Sequence, residues 1–380
     1  MKKLFIVFTL FLATGCDDSE DGETSSSEET EENTKRLCTD EKDNDGDGAV
    51  DCEDMECFDI CEELAEQETC GVPETFEWTA SEPLISPPEG SASIKDPSIL
   101  FFEDKWHIYA THYAEETGYS MVYLNFTDWD NADEAEKTLV TTNPNLSGYK
   151  CAPQFFYFAS QDLWYLVYQT QEPAYSTTKD PTDVGSWSKM TRFMSMPDII
   201  ENSEWGGIDY WVICDDTDCY MFFSADNGVL YRARTAKSDF PNGFEGTTEI
   251  VMEDDRNDLF EAANVYKIEG EDKYLLIHEA IGSNGRYFRS FTADRLDGEW
   301  TPLQDTENAP FASTANVTGA DWSTDGISHG EMLRYNPDET MTINTCTMQY
   351  LFQGRTAAGS SYNLNAYSLG LLTDEVTRPE

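Results

Sequence analysis

The feature that most constrains the fold is a pattern that recurs five times after residue 70. Each copy has an apolar, strand-like run, a short polar turn and a second strand rich in aromatic residues. The copies span residues 98–112, 153–170, 209–235, 263–279 and 331–354. Their starts lie roughly 50 to 70 residues apart, a period typical of the four-stranded blades of a β-propeller. The pattern therefore predicts an all-β fold, a five-bladed β-propeller over residues 70–380.

Two of the turns carry strong hairpin signals, Glu103-Asp104-Lys105 and Asp226-Asn227-Gly228. No alternation of strands with helical segments competes with the all-β interpretation. Hydrophobic residues make up 39% of the 380 residues, enough for one sizeable core with small appendages. The aromatic content of 13% suits packing between sheets and stacking on sugar rings.

Residues 1–16 are typical of an export signal. Lys2 and Lys3 precede an apolar stretch that is too short for a permanent membrane span. The stretch ends in Ala13-Thr14-Gly15-Cys16, which resembles a bacterial lipoprotein box. We therefore expect lipid on Cys16 to anchor the exported protein to the outer membrane or cell surface, with plain secretion as the alternative.

Residues 17–36 are nearly all acidic or hydroxylated and predict a disordered tether. Residues 37–69 form a small Cys- and Asp-rich module. Its aspartates occupy the oxygen-ligand positions of an EF-hand-like loop, with Gly48 near the turn. These are Asp43, Asp45, Asp47, Asp51 and Asp54. The spacing predicts a Ca²⁺ site, and the alternative is an acidic spacer held by disulfides.

The formal net charge of −50 excludes a polyphosphate partner, because such a partner would be repelled. A neutral polysaccharide would not be repelled. We expect a monomer that binds no nucleic acid.

Charged residues precede the repeats at corresponding places. In a propeller the innermost strands line a central axis, so residues at their starts converge on one funnel. Asp96, Asp209 and Glu261 lie there, together with His329, and we expect all four at equivalent positions. Paired carboxylates are what glycosidic cleavage needs, since one donates a proton and the other activates water or attacks the sugar.

The stretch from Cys70 to Thr373 resembles glycoside hydrolase family 62, the arabinofuranosidases that act on arabinoxylan. The resemblance is carried, in order, by KDPS, GYSMVYLNFTDW, APQFFYF, LWYLVYQT, PAYSTT, IDYWVICDDTDCYMFFSADNGVLYRA, LFEAANVYK, AIGSNGRYFRSFTA, DGEWTPL, ISHGEMLR and QYLFQG. It implies a five-bladed propeller and inverting hydrolysis that releases α-L-arabinofuranosyl side groups from arabinoxylan.

The resemblance also implies roles for single residues. Asp96 in KDPS matches the general base and Glu261 in LFEA matches the general acid. Asp209 in IDYW matches the acid that tunes Glu261 and orients the sugar, and Lys95 matches a neighbour of the arabinosyl group. Pro97 is expected to push Asp96 into an extended conformation.

His329 in SHGE matches a histidine that lies beside a metal ion near the propeller axis, usually taken as Ca²⁺. Because Ca²⁺ prefers oxygen ligands, we expect the ion to be held largely by water and to have a structural role. The alternative is a histidine hydrogen-bonded within the core.

Three further residues are expected to bind substrate. Arg286 would anchor sugar hydroxyls or pair with carboxylates at the rim. Tyr350 and Phe352 lie in QYLFQG, where the family commonly carries Tyr at the position of Phe352. The missing hydroxyl would weaken binding or alter preference.

Export makes disulfides permissible. Cys214 and Cys219 flank a tight turn, which predicts a hairpin disulfide. The family resemblance implies a bond between Cys70 and Cys346. Cys151 is expected to be a buried thiol. The remaining four, Cys38, Cys52, Cys57 and Cys61, would pair among themselves.

Other interpretations stay open at this point. A non-catalytic carbohydrate-binding propeller would keep an aromatic funnel but lose a carboxylate. A related propeller family hydrolyses arabinan or β-xylosides with a similar acid triad. A surface adhesion protein that uses the Asp-rich module is a third interpretation, which explains the N-terminal region but not the funnel.

Overall fold

The computed structural model describes residues 57, 70–201, 203–204 and 206–374. The chain divides into two compact units, Met1–Glu68 and Thr69–Glu380. Of the first unit only Cys57 is described. It is buried and disulfide-bonded. The predicted signal peptide, tether, calcium loop and lipidated Cys16 lie outside the described residues. Within those described residues, no helix has the length and apolar character needed to cross a bilayer.

The second unit is built almost entirely of β-strands. In chain order the strands are β1 (Trp78–Ala80), β2 (Ser93–Phe102), β3 (Lys105–Ala114), β4 (Gly118–Phe126), β5 (Thr138–Leu139), β6 (Cys151–Phe158), β7 (Leu163–Gln169), β8 (Pro173–Thr178), β9 (Thr191–Arg192), β10 (Ile208–Cys214), β11 (Asp218–Ser224), β12 (Val229–Ala236), β13 (Glu249–Glu253), β14 (Glu261–Ile268), β15 (Tyr274–Gly282), β16 (Gly285–Ala293), β17 (Thr301–Pro302), β18 (Asp305–Thr306), β19 (Ala309–Pro310), β20 (Val317–Thr318), β21 (Ser328–Met332), β22 (Thr342–Ile343), β23 (Gln349–Ala357) and β24 (Ala366–Asp374). Short 3₁₀ helices span Trp129–Glu134, Val140–Thr142, Pro144–Leu146, Ala159–Gln161, Val184–Ser186 and Tyr362–Leu364.

The strands form five antiparallel groups in chain order. The first four groups are β2–β5, β6–β9, β10–β13 and β14–β17. The fifth combines β21, β23 and β24 with β1 from the start of the unit. A short parallel contact between β2 and β24 joins the first and fifth groups into one nine-stranded sheet. Both predicted hairpin turns are confirmed, since β3 follows β2 across Glu103-Asp104 and β12 follows β11 across residues 225–228.

The first strands of the groups contact one another in a closed circle. β2 contacts β6, β6 contacts β10, β10 contacts β14, β14 contacts β21, and β21 contacts β2. The starts of these inner strands therefore gather at one end of a common axis. The predicted all-β, propeller-like class is confirmed by this arrangement together with the structural neighbours reported below.

Aromatic rings fill the spaces between neighbouring groups, as their abundance predicts. Tyr109 packs edge-on against Phe155 between the first and second groups. Trp211 packs the same way against Tyr266 between the third and fourth. These rings belong to continuous buried clusters. The packing keeps the inner strands in fixed relative positions, and this rigidity places the side chains at their starts.

The circle closes between the two ends of the unit. β1 pairs with β24 along its length, and the disulfide Cys70–Cys346 lies at the same closure. The hairpin disulfide Cys214–Cys219 is also present, and Cys151 is a buried free thiol. All three predictions are confirmed. The pairing of Cys38, Cys52 and Cys61 stays a prediction, since these residues lie outside the described part.

Candidate active site

Each inner strand carries a one-residue bulge near its start. The register shifts lie between Lys95 and Ser98, Cys151 and Gln154, Ile208 and Trp211, Glu261 and Asn264, and Ser328 and Gly330. A bulge re-aims the side chains of its strand. Here the bulges turn the strand starts towards the axis.

The bulges show that the four predicted residues do not share one position. Asp96 and Asp209 are bulge residues with left-handed φ values of 48° and 55°, and His329 is the bulge residue of β21. Glu261 lies one residue earlier, and the bulge residue of its strand is Ala262, with φ 56°. The prediction of strict equivalence was therefore wrong for Glu261, which is equivalent to Lys95.

The extended conformation predicted for Asp96 was also wrong. Its left-handed φ is imposed by the bulge, which outweighs the local preference set by Pro97. A non-glycine residue in this region costs about 1–2 kcal/mol, so the surrounding contacts must hold it. One such contact is the backbone N–H of Asp96, which donates to Gln353 Oε1 at 2.8 Å.

The same kind of backbone hydrogen bond occurs in all five sheet groups. The backbone N–H of each bulge residue donates to a side chain of the preceding sheet group. The Asp209 N–H donates to Gln169 Oε1 at 3.0 Å, and the Ala262 N–H donates to Asp209 Oδ2 at 3.0 Å. Neighbouring groups thus hold each other's functional residues. Except for Asp209, sequence reasoning missed these acceptors, although Gln169 and Gln353 stand at matching places in LWYLVYQT and QYLFQG.

Asp96, Asp209 and His329 form one charged cluster. His329 Nδ1 lies 3.3 Å from Asp96 Oδ1 and 3.8 Å from Asp209 Oδ2. Burial alone would raise the pKa of Asp96, but His329 and Lys95 lower it well below its usual value. Burial alone would lower the pKa of His329, but Asp209 and Asp96 raise it to about 9. Asp96 is therefore an ionised carboxylate beside an imidazolium.

Asp209 has the opposite character. Burial raises the pKa of Asp209 to about 8, with the nearby Glu261 adding to the rise and His329 opposing it. The two aspartates beside His329 therefore have pKa values that are shifted in opposite directions. Environments that push the pKa values of neighbouring acids apart are typical of acid–base sites.

Glu261 lies next to Arg286 and near enough to Asp209 to raise its pKa. The Arg286 guanidinium pairs with both Glu261 and Glu279 and is itself mostly buried. The structure thus places Arg286 in the centre of the site, paired with carboxylates. Arg289 instead pairs with Asp254 and Asp305, away from Glu261.

Lys95 is buried among aromatic rings at the rim of the site. Its Nζ lies 4.8 Å from the ring centre of Tyr119, 5.0 Å from that of Tyr362 and 5.8 Å from that of Tyr367. Cation–π contacts of this kind stabilise a desolvated ammonium group. Tyr362 is 54% exposed, so part of its surface is free beside the acids. Sequence reasoning missed Tyr362 because it lies in a short 3₁₀ helix outside the quoted motifs.

The structure does not support substrate contact by Tyr350 or Phe352. Both side chains are completely buried. Tyr350 packs against Phe288 and Phe311, and Phe352 packs against Trp322. Their prediction as substrate-binding residues was wrong, because β23 directs these side chains into the core between sheet groups.

The axial calcium prediction can be tested against the residues near His329. The described residues contain no group of three or more His, Cys, Asp or Glu arranged to hold a metal ion. A small cavity is lined by His329, Asp209 and Asn264 among others. Asn264 Oδ1 is buried there without a hydrogen-bond partner. Since Ca²⁺ takes six to eight oxygens, these residues fit only an ion bound mainly through water.

With this geometry in view, comparison with known proteins identifies the family. The family model described as glycosyl hydrolase family 62 matches residues 77–373. The chain belongs to glycosyl hydrolase family 62. Alpha-L-arabinofuranosidase C of Cellvibrio japonicus is 46% identical over 314 residues, covering 80% of this chain and 48% of that protein. The chain thus spans about half the length of this curated relative.

Solved structures agree. The catalytic domain of the family 62 alpha-L-arabinofuranosidase of Coprinopsis cinerea is 45% identical, with a TM-score of 0.76, covering 80% of this chain and 98% of that one. The Podospora anserina alpha-L-arabinofuranosidase, solved with cellotriose, is 41% identical, with a TM-score of 0.77, covering 81% and 99%. A thermostable family 43 glycoside hydrolase, at 15% identity and a TM-score of 0.52, shares the fold alone.

Proposed function

We propose that this glycoside hydrolase releases α-L-arabinofuranosyl side groups from arabinoxylan by inversion. The single observation that carries the proposal is the convergence of three carboxylates, Asp96, Asp209 and Glu261, at the starts of inner strands that contact one another in a circle. His329 and Lys95 lower the pKa of Asp96 well below its usual value, which suits a general base. Family membership and the named relatives support the same reaction class.

In the proposed reaction Asp96 takes a proton from water as the water oxygen attacks the anomeric carbon. Glu261 gives a proton to the xylose oxygen as the bond between that oxygen and the anomeric carbon breaks. The products are free arabinose, with inverted configuration, and a xylan hydroxyl. The Asp209 side chain accepts a hydrogen bond from the Ala262 N–H, next to Glu261. Lys95 and Arg286 border the space for the sugar.

The experiment that tests the proposal is arabinose release from wheat arabinoxylan by the wild type and by Glu261→Ala. Removal of a general acid lowers the rate by about 100- to 10,000-fold. A dinitrophenyl α-L-arabinofuranoside provides the matched substrate, because dinitrophenolate leaves without protonation. Glu261→Ala should keep most activity on this substrate, whereas Asp96→Asn should lose activity on both.

Three outcomes would contradict the proposal. If the folded wild type releases no arabinose from arabinoxylan or arabinan, the alternative of a non-catalytic carbohydrate-binding module would hold. Release from arabinan but not from arabinoxylan would place the chain with the arabinan-degrading propellers in activity. Proton NMR of the first arabinose formed tests inversion, since retention of the α-configuration would exclude the assigned base.

We also propose an axial Ca²⁺ bound largely through water beside His329, with Asn264 Oδ1 as its protein ligand. Bound there, the ion would supply positive charge and rigidity. A second Ca²⁺ is proposed in the Asp43–Asp54 loop. Thermal unfolding with Ca²⁺ and with chelator separates the two sites when repeated in an Asp43→Asn, Asp45→Asn background. A midpoint that does not respond to Ca²⁺ in that background would exclude the axial ion.

Finally, we propose that the protein is an exported monomer anchored by lipid on Cys16. The support is the charged, apolar and small-residue order of residues 1–16. Mass spectrometry of the membrane-bound protein should show acyl chains on Cys16. A Cys16→Ser variant should be recovered without lipid, and an unmodified Cys16 in the wild type would favour plain secretion. Sedimentation of the purified protein tests the monomeric state.

A further inference from the structure

Glu279 is a fully buried carboxylate that the proposed reaction does not use. It lies on β15 directly opposite Glu261 on β14. Two carboxylates facing each other across a strand pair repel, and a buried charge is costly unless it is paired. A carboxylate retained at this place therefore needs an explanation.

The two oxygens of Glu279 have different partners. Oε1 pairs with the Arg286 guanidinium, which also pairs with Glu261 Oε1. Oε2 accepts the Ser328 hydroxyl at 3.0 Å and the backbone N–H of His329 at 2.6 Å. One oxygen thus faces the acid side of the site and the other faces the base side.

The base side continues through an unbroken set of hydrogen bonds. Ser328 Oγ donates to Glu279 and accepts from Gln353 Nε2 at 2.9 Å. The other end of the same Gln353 amide accepts the backbone N–H of Asp96 at 2.8 Å. Glu279 therefore reaches Glu261 through Arg286 and reaches Asp96 through Ser328 and Gln353.

We propose that Glu279 is a positioning residue that sets the placement of Glu261 relative to Asp96. The inference rests on the proposed function, which assigns acid and base roles to those two residues. The separation of acid and base determines whether a water molecule fits between the base and the anomeric carbon. A residue connected to both carboxylates controls that separation without touching the substrate.

The test replaces Glu279 by Gln, which keeps the shape and removes the charge. Loss of a buried charge-assisted hydrogen bond predicts that kcat on arabinoxylan falls by about 10- to 100-fold. KM should change by less than about threefold, because placement of the reacting groups acts in the transition state. Glu279→Asp, which keeps the charge, should recover part of the lost kcat.

Glu331→Gln is the matched control. Glu331 is equally buried, pairs with Arg334 and accepts the Ile99 N–H, but it lies towards the other end of its inner strand. It should lose stability as Glu279→Gln does, while kcat of the folded protein stays within about twofold. Equal loss of kcat in both variants, or none in Glu279→Gln, would overturn the proposal.

Two further measurements cover other outcomes. Ser328→Ala removes only the hydroxyl and should fold, so it tests the base-side branch if Glu279→Gln is unstable. It should lower kcat by roughly 3- to 10-fold, and unchanged kcat would overturn that branch. Crystal structures of Glu279→Gln and Glu331→Gln need no activity. A displaced Glu261 in the first alone supports positioning even if the wild type proves inactive, and an unmoved Glu261 and Asp96 refute it.

Discussion

Removal of the disulfide that closes the circle should destabilise the fold far more than removal of the hairpin disulfide. Cys70–Cys346 closes a loop with a sequence separation of 276, and Cys214–Cys219 one with a separation of 5. A cross-link stabilises mainly by restricting the unfolded chain, and the effect grows with the logarithm of loop length. The two bonds therefore form an internal comparison within one protein.

The chain-entropy relation gives the magnitudes. At 25 °C the long loop is worth about 5.6 kcal/mol and the short loop about 2 kcal/mol, a difference of about 3.6 kcal/mol. Unfolding of a unit of about 300 residues has an entropy near 0.6 kcal/mol/K, so the midpoints should fall by about 9 °C and about 3 °C.

The assay is thermal unfolding of Cys70→Ser/Cys346→Ser beside Cys214→Ser/Cys219→Ser. Each double variant removes both sulfurs, so no unpaired thiol is introduced. The expected result is the larger fall for the first variant. Equal falls, or a larger fall for the hairpin variant, would refute the argument that the closure acts through the unfolded chain.

Three other predictions follow from the site. Tyr350→Phe should leave kcat/KM within about twofold of the wild-type value. Phe352→Tyr should lower the free energy of unfolding, measured by urea titration, by about 1–3 kcal/mol, because it forces a hydroxyl into a filled core. A gain in substrate affinity from Phe352→Tyr would contradict the burial of this side chain. Lys95→Met should lower kcat/KM on arabinoxylan by roughly 10- to 100-fold, because it removes the buried cation beside Asp96, and unchanged activity would exclude that role. Since the pKa of Asp209 is raised to about 8, the folded state binds this proton more tightly than the unfolded state. The contribution of this proton to stability is therefore complete below about pH 4 and is lost as the pH rises to 8. The unfolding midpoint of Asp209→Asn should fall less between pH 5 and pH 8 than that of the wild type, and parallel curves would contradict the assignment.

The architecture could be predicted from the sequence because polar turns mark the boundaries of the strands in each repeat. Polar turns such as Glu103-Asp104 and aromatic strands recur at the spacing that a circular stack of sheets requires. The identities of Asp96, Asp209 and Glu261 could be predicted for the same reason, since each stands where an inner strand begins.

The register of the inner strands at their bulges could not be predicted from the sequence. A one-residue bulge decides whether Glu261 or Ala262 occupies the left-handed position, and bulges depend on pairing with a distant strand. The direction of Tyr350 and Phe352 depends on the same kind of long-range pairing. Glu279 was missed because two of its partners, Ser328 and His329, meet it only after the fourth and fifth groups pack together.

The pairing of β1 with β24 also sets the order in which this molecule can be completed during biosynthesis. β1 is made first, yet its antiparallel partner emerges only when residues 366–374 have been synthesised. At typical translation rates the interval is roughly 15 to 60 s. Throughout that time the nascent chain has an unsatisfied strand edge at its beginning, a known route to aggregation. The antiparallel pairing that closes the circle is therefore the last one that can form.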